Sequence, residues 1–302
     1  MNITTKGAEM GKIVFGLLVS LCIIMICLNM AKLQENLNNI EKKNSSEKEY
    51  FSLSKAIFPT VTIQYQNYGG GSGTCIYKEK CGDKIELYFL TANHVVDFAM
   101  YNRFKYPSLG YYYPLHKTCE PDPTRSGVGT IKRPPLIVAG WLYNKNGSTK
   151  RTFSHYGEIY KMWDDIDTAI VKVVAEPGSA ITKLPIGKIE NLKTFNAMIP
   201  GDKVVTSGCP YLLPALISDG HMSRKKFGKP GEIPPNLSNV CLVRINIAGG
   251  ASGGGIYNFK NMKLIGIVSI GWGRNAFICG MIPISDILPK LQKTYLGQKL
   301  GL

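Results

Sequence analysis

Apolar residues occur along most of this chain in short runs separated by clusters of Gly, Pro, Asn and Asp. The runs are Val61 to Tyr65, Ile85 to Leu90, Leu136 to Leu142, Ala169 to Val174, Lys203 to Ser207, Val240 to Ile247 and Lys263 to Ile270. Each is short for a helix and rich in β-branched residues, so the pattern predicts strands joined by turns. The 32 glycines suit a protein built that way. One helix is predicted near the C-terminus. Ser285 is a suitable N-cap for a segment from Asp286 to about Leu296, in which Ile287, Leu288 and Leu291 form an apolar stripe and Pro289 can shift the start. The reading is an all-β domain over about 55–302, without an internal repeat.

The N-terminal segment follows a different pattern. Ile13 to Ala31 carries no charge and is bounded by Lys12 and Lys32. As a helix it would be about 28 Å long, close to the thickness of a bilayer hydrocarbon core. This predicts a transmembrane anchor over 13–31 behind a short tail over 1–12. A cleaved signal peptide competes, but no small-x-small cleavage site precedes Lys32. The short basic tail, with Lys6 and Lys12, suggests a cytoplasmic N-terminus and a domain on the extracytoplasmic side. Residues 32–54 read as a polar stalk, in which Leu33, Leu37 and Ile40 allow a brief helical neck.

Candidate chemistry sits in three short motifs. They are Thr91-Ala92-Asn93-His94-Val95-Val96, Asp167-Thr168-Ala169-Ile170-Val171 and Gly250-Ala251-Ser252-Gly253-Gly254. A serine hydroxyl is a weak nucleophile until a base takes its proton, and histidine is the natural base near neutral pH. A buried aspartate orients that histidine and stabilises its cationic form. Asp164 and Asp165 compete for the acid role, but Asp167 opens an apolar strand and so belongs at a sheet rim. The glycines around Ser252 let the chain turn sharply and aim backbone N–H groups at a developing oxyanion. The assignment is catalytic His94, Asp167 and Ser252, with an oxyanion hole from the N–H groups of Gly250 and Ser252.

The order His, Asp, Ser and the surrounding motifs resemble the trypsin-like serine proteases of the PA clan, in the style of HtrA/Deg-type enzymes. The resemblance runs from about Pro59 to about Leu291. It includes Phe58-Pro59-Thr60-Val61-Thr62-Ile63, Gly71-Ser72-Gly73-Thr74, Gly208-Cys209-Pro210, Ser218-Asp219-Gly220, Leu264-Ile265-Gly266-Ile267-Val268-Ser269 and Ile282-Pro283-Ile284. It implies two six-stranded antiparallel β-barrels, over about 55–180 and 181–284, with the C-terminal helix over 285–296 packed behind the second. It also implies a substrate pocket from Asn246, Gly249, Ser269, Gly271 and Phe277. An amide at Asn246 argues against strict Arg or Lys preference, and Phe277 favours small or medium apolar side chains. Few residues follow the helix, so a PDZ domain is not expected. The stretch from Tyr101 to Pro135 is longer than compact members of the family need.

Composition adds less. Six of the eight cysteines lie outside the anchor: Cys75, Cys81, Cys119, Cys209, Cys241 and Cys279. An even number fits an oxidising compartment, and Cys75 with Cys81 flank a predicted hairpin turn, but free buried thiols are an equal reading. No pair of His94, His116, His155 and His221 has metal-ligand spacing, so neither a metal nor a cofactor is expected. The net charge of +15 is spread over several basic clusters and reads first as a solvated surface. No nucleic-acid motif accompanies it. Two classes remain: a membrane-anchored serine endopeptidase acting on proteins or peptides, and a catalytically silent binding protein on the same fold. Oligomeric state is not legible.

Overall fold

A computed structural model of the chain describes residues 59–65, 69–97, 135–144, 148–225, 240–271 and 276–302. The expected anchor over 13–31, the stalk over 32–54 and most of the stretch between Tyr101 and Pro135 lie outside these residues. Among the described residues no helix is long and apolar enough to cross a membrane.

Among the described residues, twelve strands form two closed antiparallel barrels. The first contains β1 (Thr60–Tyr65), β2 (Gly69–Cys81), β3 (Lys84–Ala92), β4 (Leu136–Tyr143), β5 (Thr149–Trp163) and β6 (Thr168–Ala175), closed in the order β1-β2-β3-β6-β5-β4. The second contains β7 (Lys203–Gly208), β8 (Leu216–Arg224), β9 (Cys241–Ile247), β10 (Gly255–Asn258), β11 (Lys263–Gly271) and β12 (Ala276–Pro283), closed as β10-β11-β12-β9-β8-β7. Closure removes the unpaired edges that an open sheet of this size would expose. The seven apolar runs of the sequence are β1, β3, β4, β6, β7, β9 and β11, each within one or two residues of its expected ends. Inward positions such as Leu90, Ile170, Val243, Ile256 and Ile267 are fully or almost fully buried.

The barrels meet along a seam of hydroxyl groups. Thr60 Oγ1 and Ser207 Oγ are 2.8 Å apart and join β1 to β7. The Ser72 hydroxyl donates to the Gly250 carbonyl at 2.7 Å, joining β2 to the loop before β10.

One expectation needs correction, and one open alternative is resolved. The single C-terminal helix is two short ones, α3 (Ile284–Gln292) and α4 (Tyr295–Lys299), numbered after α1 (Asn93–Val96) and α2 (Leu192–Ala197). Pro283, not Ser285, holds the N-cap position of α3. Thr294 divides the two helices: its hydroxyl accepts from Gly297 N at 3.1 Å and starts a second helix. The open alternative concerned cysteine. Cys75 and Cys81 are both free, and both lie on β2 rather than across a turn. Six residues of extended strand separate them by roughly 20 Å, far beyond disulfide reach. Burial pushes the Cys75 thiol up to about 12.

Leu90 is fully buried on the strand that leads into α1. Leu90→Ala should destabilise the fold by about 2–5 kcal/mol, read as a lowered midpoint in chemical denaturation with an unchanged slope.

Candidate active site

Strand register brings the first two motifs together. In the β3–β6 pair Ala92 lies opposite Thr168, so the residues just beyond each strand end become neighbours. After Ala92 the chain turns into α1, anchored by the buried Val95 and Val96 and by the Tyr65 hydroxyl, which donates to Val96 O at 2.9 Å. Before Thr168 stands Asp167. Asn93 N donates to Asp167 O at 3.0 Å, and His94 N donates to Asp167 Oδ1 at 3.0 Å. His94 Nδ1 lies 2.9 Å from Oδ2 and 3.1 Å from Oδ1 of the same carboxylate. Nδ1 is thus engaged with the acid, which leaves Nε2 as the ring nitrogen for exchange with a substrate or nucleophile.

Asp167 is 7% exposed and holds a left-handed backbone, φ 45°, an uncommon conformation for a residue with a side chain. Burial is the largest influence on its carboxyl and pushes its pKa up. The hydrogen bonds and charge of His94, with a hydrogen bond from the Ser269 hydroxyl to Oδ2, outweigh burial and hold the pKa below the ordinary carboxylate value. The competing acids have other partners. Asp164 Oδ1 accepts from Asn93 Nδ2 at 2.7 Å, and Asp165 pairs with Lys290.

The third motif is a turn between β9 and β10, fixed by β10–β11 register. Gly255 lies opposite Ile267, Gly253 N donates to Val268 O at 2.7 Å, and Val268 N donates to Gly254 O at 2.9 Å. Glycine is required at Gly253: φ is +82°, and a Cβ there would lie 2.2 Å from both Ser72 O and Thr91 Oγ1. Ser252 O accepts from Ser72 N at 2.7 Å. The N–H groups of Ala251, Gly253 and Gly254 are spent on Ala248 O, Val268 O and Ala251 O, whereas no backbone hydrogen bond among the described residues uses those of Gly250 or Ser252.

Ser252 departs from the expected arrangement in one respect. Its hydroxyl donates to Ser269 O at 3.3 Å, and no hydrogen bond joins it to His94. Ser269 therefore links the set: its hydroxyl serves Asp167 and its carbonyl receives Ser252. The sequence reading had placed Ser269 in a substrate pocket. A cavity of 510 Å³ is lined by Asn246 and Phe277 together with Thr206, Gly208, Pro210, Leu216, Ile217, Ser218, Ile247, Ala248 and Ala251. Gly249, Ser269 and Gly271 do not line it, nor do His94 and Ser252. The cavity thus lies on the Ala251 side of the Ser252 turn, and none of its lining side chains is charged.

Sequence reasoning gave Ser72 and Thr91 no role. Thr91 Oγ1 donates to Ser72 O at 2.7 Å. The available signal was a polar residue between two glycines in a strand, Gly71-Ser72-Gly73, which marks close backbone approach.

The sequence profile of the trypsin-like peptidase domain family matches residues 71–267. No curated protein matches the chain by sequence. Among solved structures, Deg5 is similar at 19% identity and a TM-score of 0.53, over 81% of this chain and 92% of that one. The HtrA-type protease AlgW with a decapeptide is similar at 14% identity and a TM-score of 0.51, over 82% of this chain. This chain spans 66% of that AlgW chain. These likenesses share the fold.

A linkage measurement tests the electrostatics. The folded pKa of Asp167 is lower than its unfolded one. Its contribution to stability is therefore complete above the unfolded carboxylate value of about 3.9 and is lost as pH falls through the folded value. Denaturation of Asp167→Asn between about pH 5 and 2 should show a shallower acid-side loss of stability than the native chain. Gly253→Ala should destabilise the chain by about 1–3 kcal/mol or more, as overpacking does, in the same denaturation assay.

Proposed function

The chain belongs to the trypsin-like peptidase domain family, and we propose that it is a membrane-anchored serine endopeptidase that cleaves protein or peptide substrates. The observation that carries this reading is the buried Asp167 carboxylate bonded to Nδ1 of His94, with Ser252 reached through Ser269. Ser252 Oγ turns from the Ser269 carbonyl to His94 Nε2, gives its proton to that nitrogen and attacks the scissile carbonyl carbon. Catalytic hydrogen bonds of an empty site commonly tighten only with substrate bound. The N–H groups of Gly250 and Ser252 receive the oxyanion. On collapse, His94 returns the proton to the leaving amine, and an acyl-Ser252 ester remains. Water, deprotonated by His94, hydrolyses that ester.

Peptides bound in the AlgW structures support a peptide substrate. The uncharged lining around Asn246 and Phe277 supports an apolar side chain before the scissile bond. The uncharged run from Ile13 to Ala31 supports the anchor and an extracytoplasmic domain. One observation favours the other reading, a silent protein that only binds: the Ser252 hydroxyl rests on Ser269 O rather than on His94.

The full chain in detergent, treated with a fluorophosphonate, separates the two readings. Ser252 should be labelled, Ser252→Ala should not be labelled, and His94→Ala should lose about 10⁴-fold or more in kcat/KM. A folded native chain without labelling would favour the silent protein. A peptide library should return apolar residues before the cleaved bond, and dominance of Lys or Arg there would refute the pocket assignment. Deleting residues 1–31 should move the chain from the membrane fraction to the soluble one.

A further inference from the structure

Ser72 is fully buried on β2, and every polar group it owns points at the catalytic apparatus or its support. Its N–H donates to Ser252 O at 2.7 Å, and its carbonyl accepts from Thr91 Oγ1 at 2.7 Å. Its hydroxyl donates to Gly250 O at 2.7 Å and accepts from Cys209 N at 2.7 Å. One side chain of the first barrel therefore ties two separate segments of the second, the turn that carries Ser252 and the loop after β7.

The turn needs such a tie. Gly249 and Gly250 are adjacent glycines, the residues with the most accessible backbone conformations and the least resistance to peptide rotation. A side chain at Gly250 is excluded, because φ is +92° and a Cβ would lie 2.8 Å from Tyr211 N and 2.9 Å from Cys209 O. The conformation must then be fixed from outside. Two bonds do this: Tyr211 N donates to Gly249 O at 2.7 Å, and the Ser72 hydroxyl holds Gly250 O. The segment behind Tyr211 is itself strained, with Tyr211 at φ 52° and Leu212 at φ 60°. Ser72 steadies that segment as well, through Cys209 N.

We infer that Ser72 is a positioning residue for oxyanion binding: its hydroxyl locks the Gly249–Gly250 turn so that the Gly250 and Ser252 N–H groups converge on the reacting carbonyl oxygen. This rests on the peptidase reading above. None of the hydrogen bonds of Ser72 goes to His94 or Asp167. Its loss should therefore affect stabilisation of the tetrahedral intermediate and leave proton transfer alone.

The test compares the native full chain with Ser72→Ala, with Ser252→Ala as control. Ser72→Ala should stay folded by near-ultraviolet circular dichroism. It should lose about 10- to 100-fold in kcat, as small misplacements of catalytic groups do, with little change in KM. The pH–rate profile should keep its position. A peptide boronate, which mimics the tetrahedral state, should lose affinity in proportion to kcat/KM. Amide hydrogen exchange over residues 249–254 should quicken. Unchanged kcat, a kcat loss without a matching loss of boronate affinity, or unchanged exchange over 249–254 would each overturn the inference. If Ser72→Ala does not fold, Ser72→Cys, of similar shape but weaker hydrogen bonding, must show the same selective pattern. Ser252-independent hydrolysis would defeat the peptidase reading instead, and the exchange measurement would still decide whether Ser72 holds the turn.

Discussion

A single buried carboxylate constrains the layout of this molecule. Asp167 is almost inaccessible to water, and a buried charge is tolerable only when it is paired and hydrogen-bonded. Its partners come from different places: the backbone and ring of His94 at the end of β3, and the hydroxyl of Ser269 on β11 of the other barrel. The two barrels cannot slide or rotate against each other without stripping that charge of a partner. Asp167 also holds a left-handed backbone, a local strain that the same contacts keep in place. Electrostatic need and chain geometry thus select the same relative placement of barrels.

Strand register turns that constraint into a site. The Ala92–Thr168 pair ends one ladder, and the residues that spill over its end are His94 and Asp167. The Gly255–Ile267 pair begins another, and the residues that precede and follow it are the Ser252 turn and Ser269. A slip of one position in either ladder would reverse every side chain of that strand between core and solvent. The alternation that builds the barrels is therefore what holds the reactive groups in registration. Glycine does the remaining work at Gly253, where close approach of the first barrel leaves no room for a Cβ, and at Gly250, where the loop after β7 leaves none.

Seven of the twelve described strands were legible from pattern alone, and the division has a physical cause. β1, β3, β4, β6, β7, β9 and β11 carry enough apolar residues to announce themselves. β2 opens with Gly-Gly-Gly-Ser-Gly, β5 is largely polar and charged, β8 has one buried side chain in its second half, Met222, beside Gly220, and β10 is four residues long. These owe their strand form to neighbours that supply hydrogen bonds, and a sequence window cannot see partners far away in the chain. The meeting of His94 with Asp167 was legible because each sits in a motif tied to a strand end. The contacts of Ser269 with Asp167 and Ser252, and those of Ser72, were passed over for the opposite reason. Their roles depend on the other barrel, which no local pattern records. The C-terminal helix split for a local reason that was open to reading, a threonine able to cap a second helix.

The resting position of Ser252 bears on what the fold is built to do. Its hydroxyl lies on the Ser269 carbonyl, while the hydroxyl of Ser269 lies on Asp167. Ser252 and Asp167 are therefore held by the two ends of one residue, and among the described residues no hydrogen bond engages Nε2 of the histidine ring. The turn beneath Ser252 is fixed by bonds to Ser72, Ala248 and Val268, so the move of its Oγ toward Nε2 in the proposed mechanism falls to the side chain. A long neutral hydrogen bond of 3.3 Å is weak, so little opposes the rotation. The costly elements of the site, the buried charge, the left-handed Asp167 and the glycine-only turn, are already in place before any substrate arrives. In the proposed peptidase this arrangement concentrates the expense of the fold on pre-organised electrostatics, the feature on which acyl transfer depends most, and leaves the inexpensive movement to Ser252.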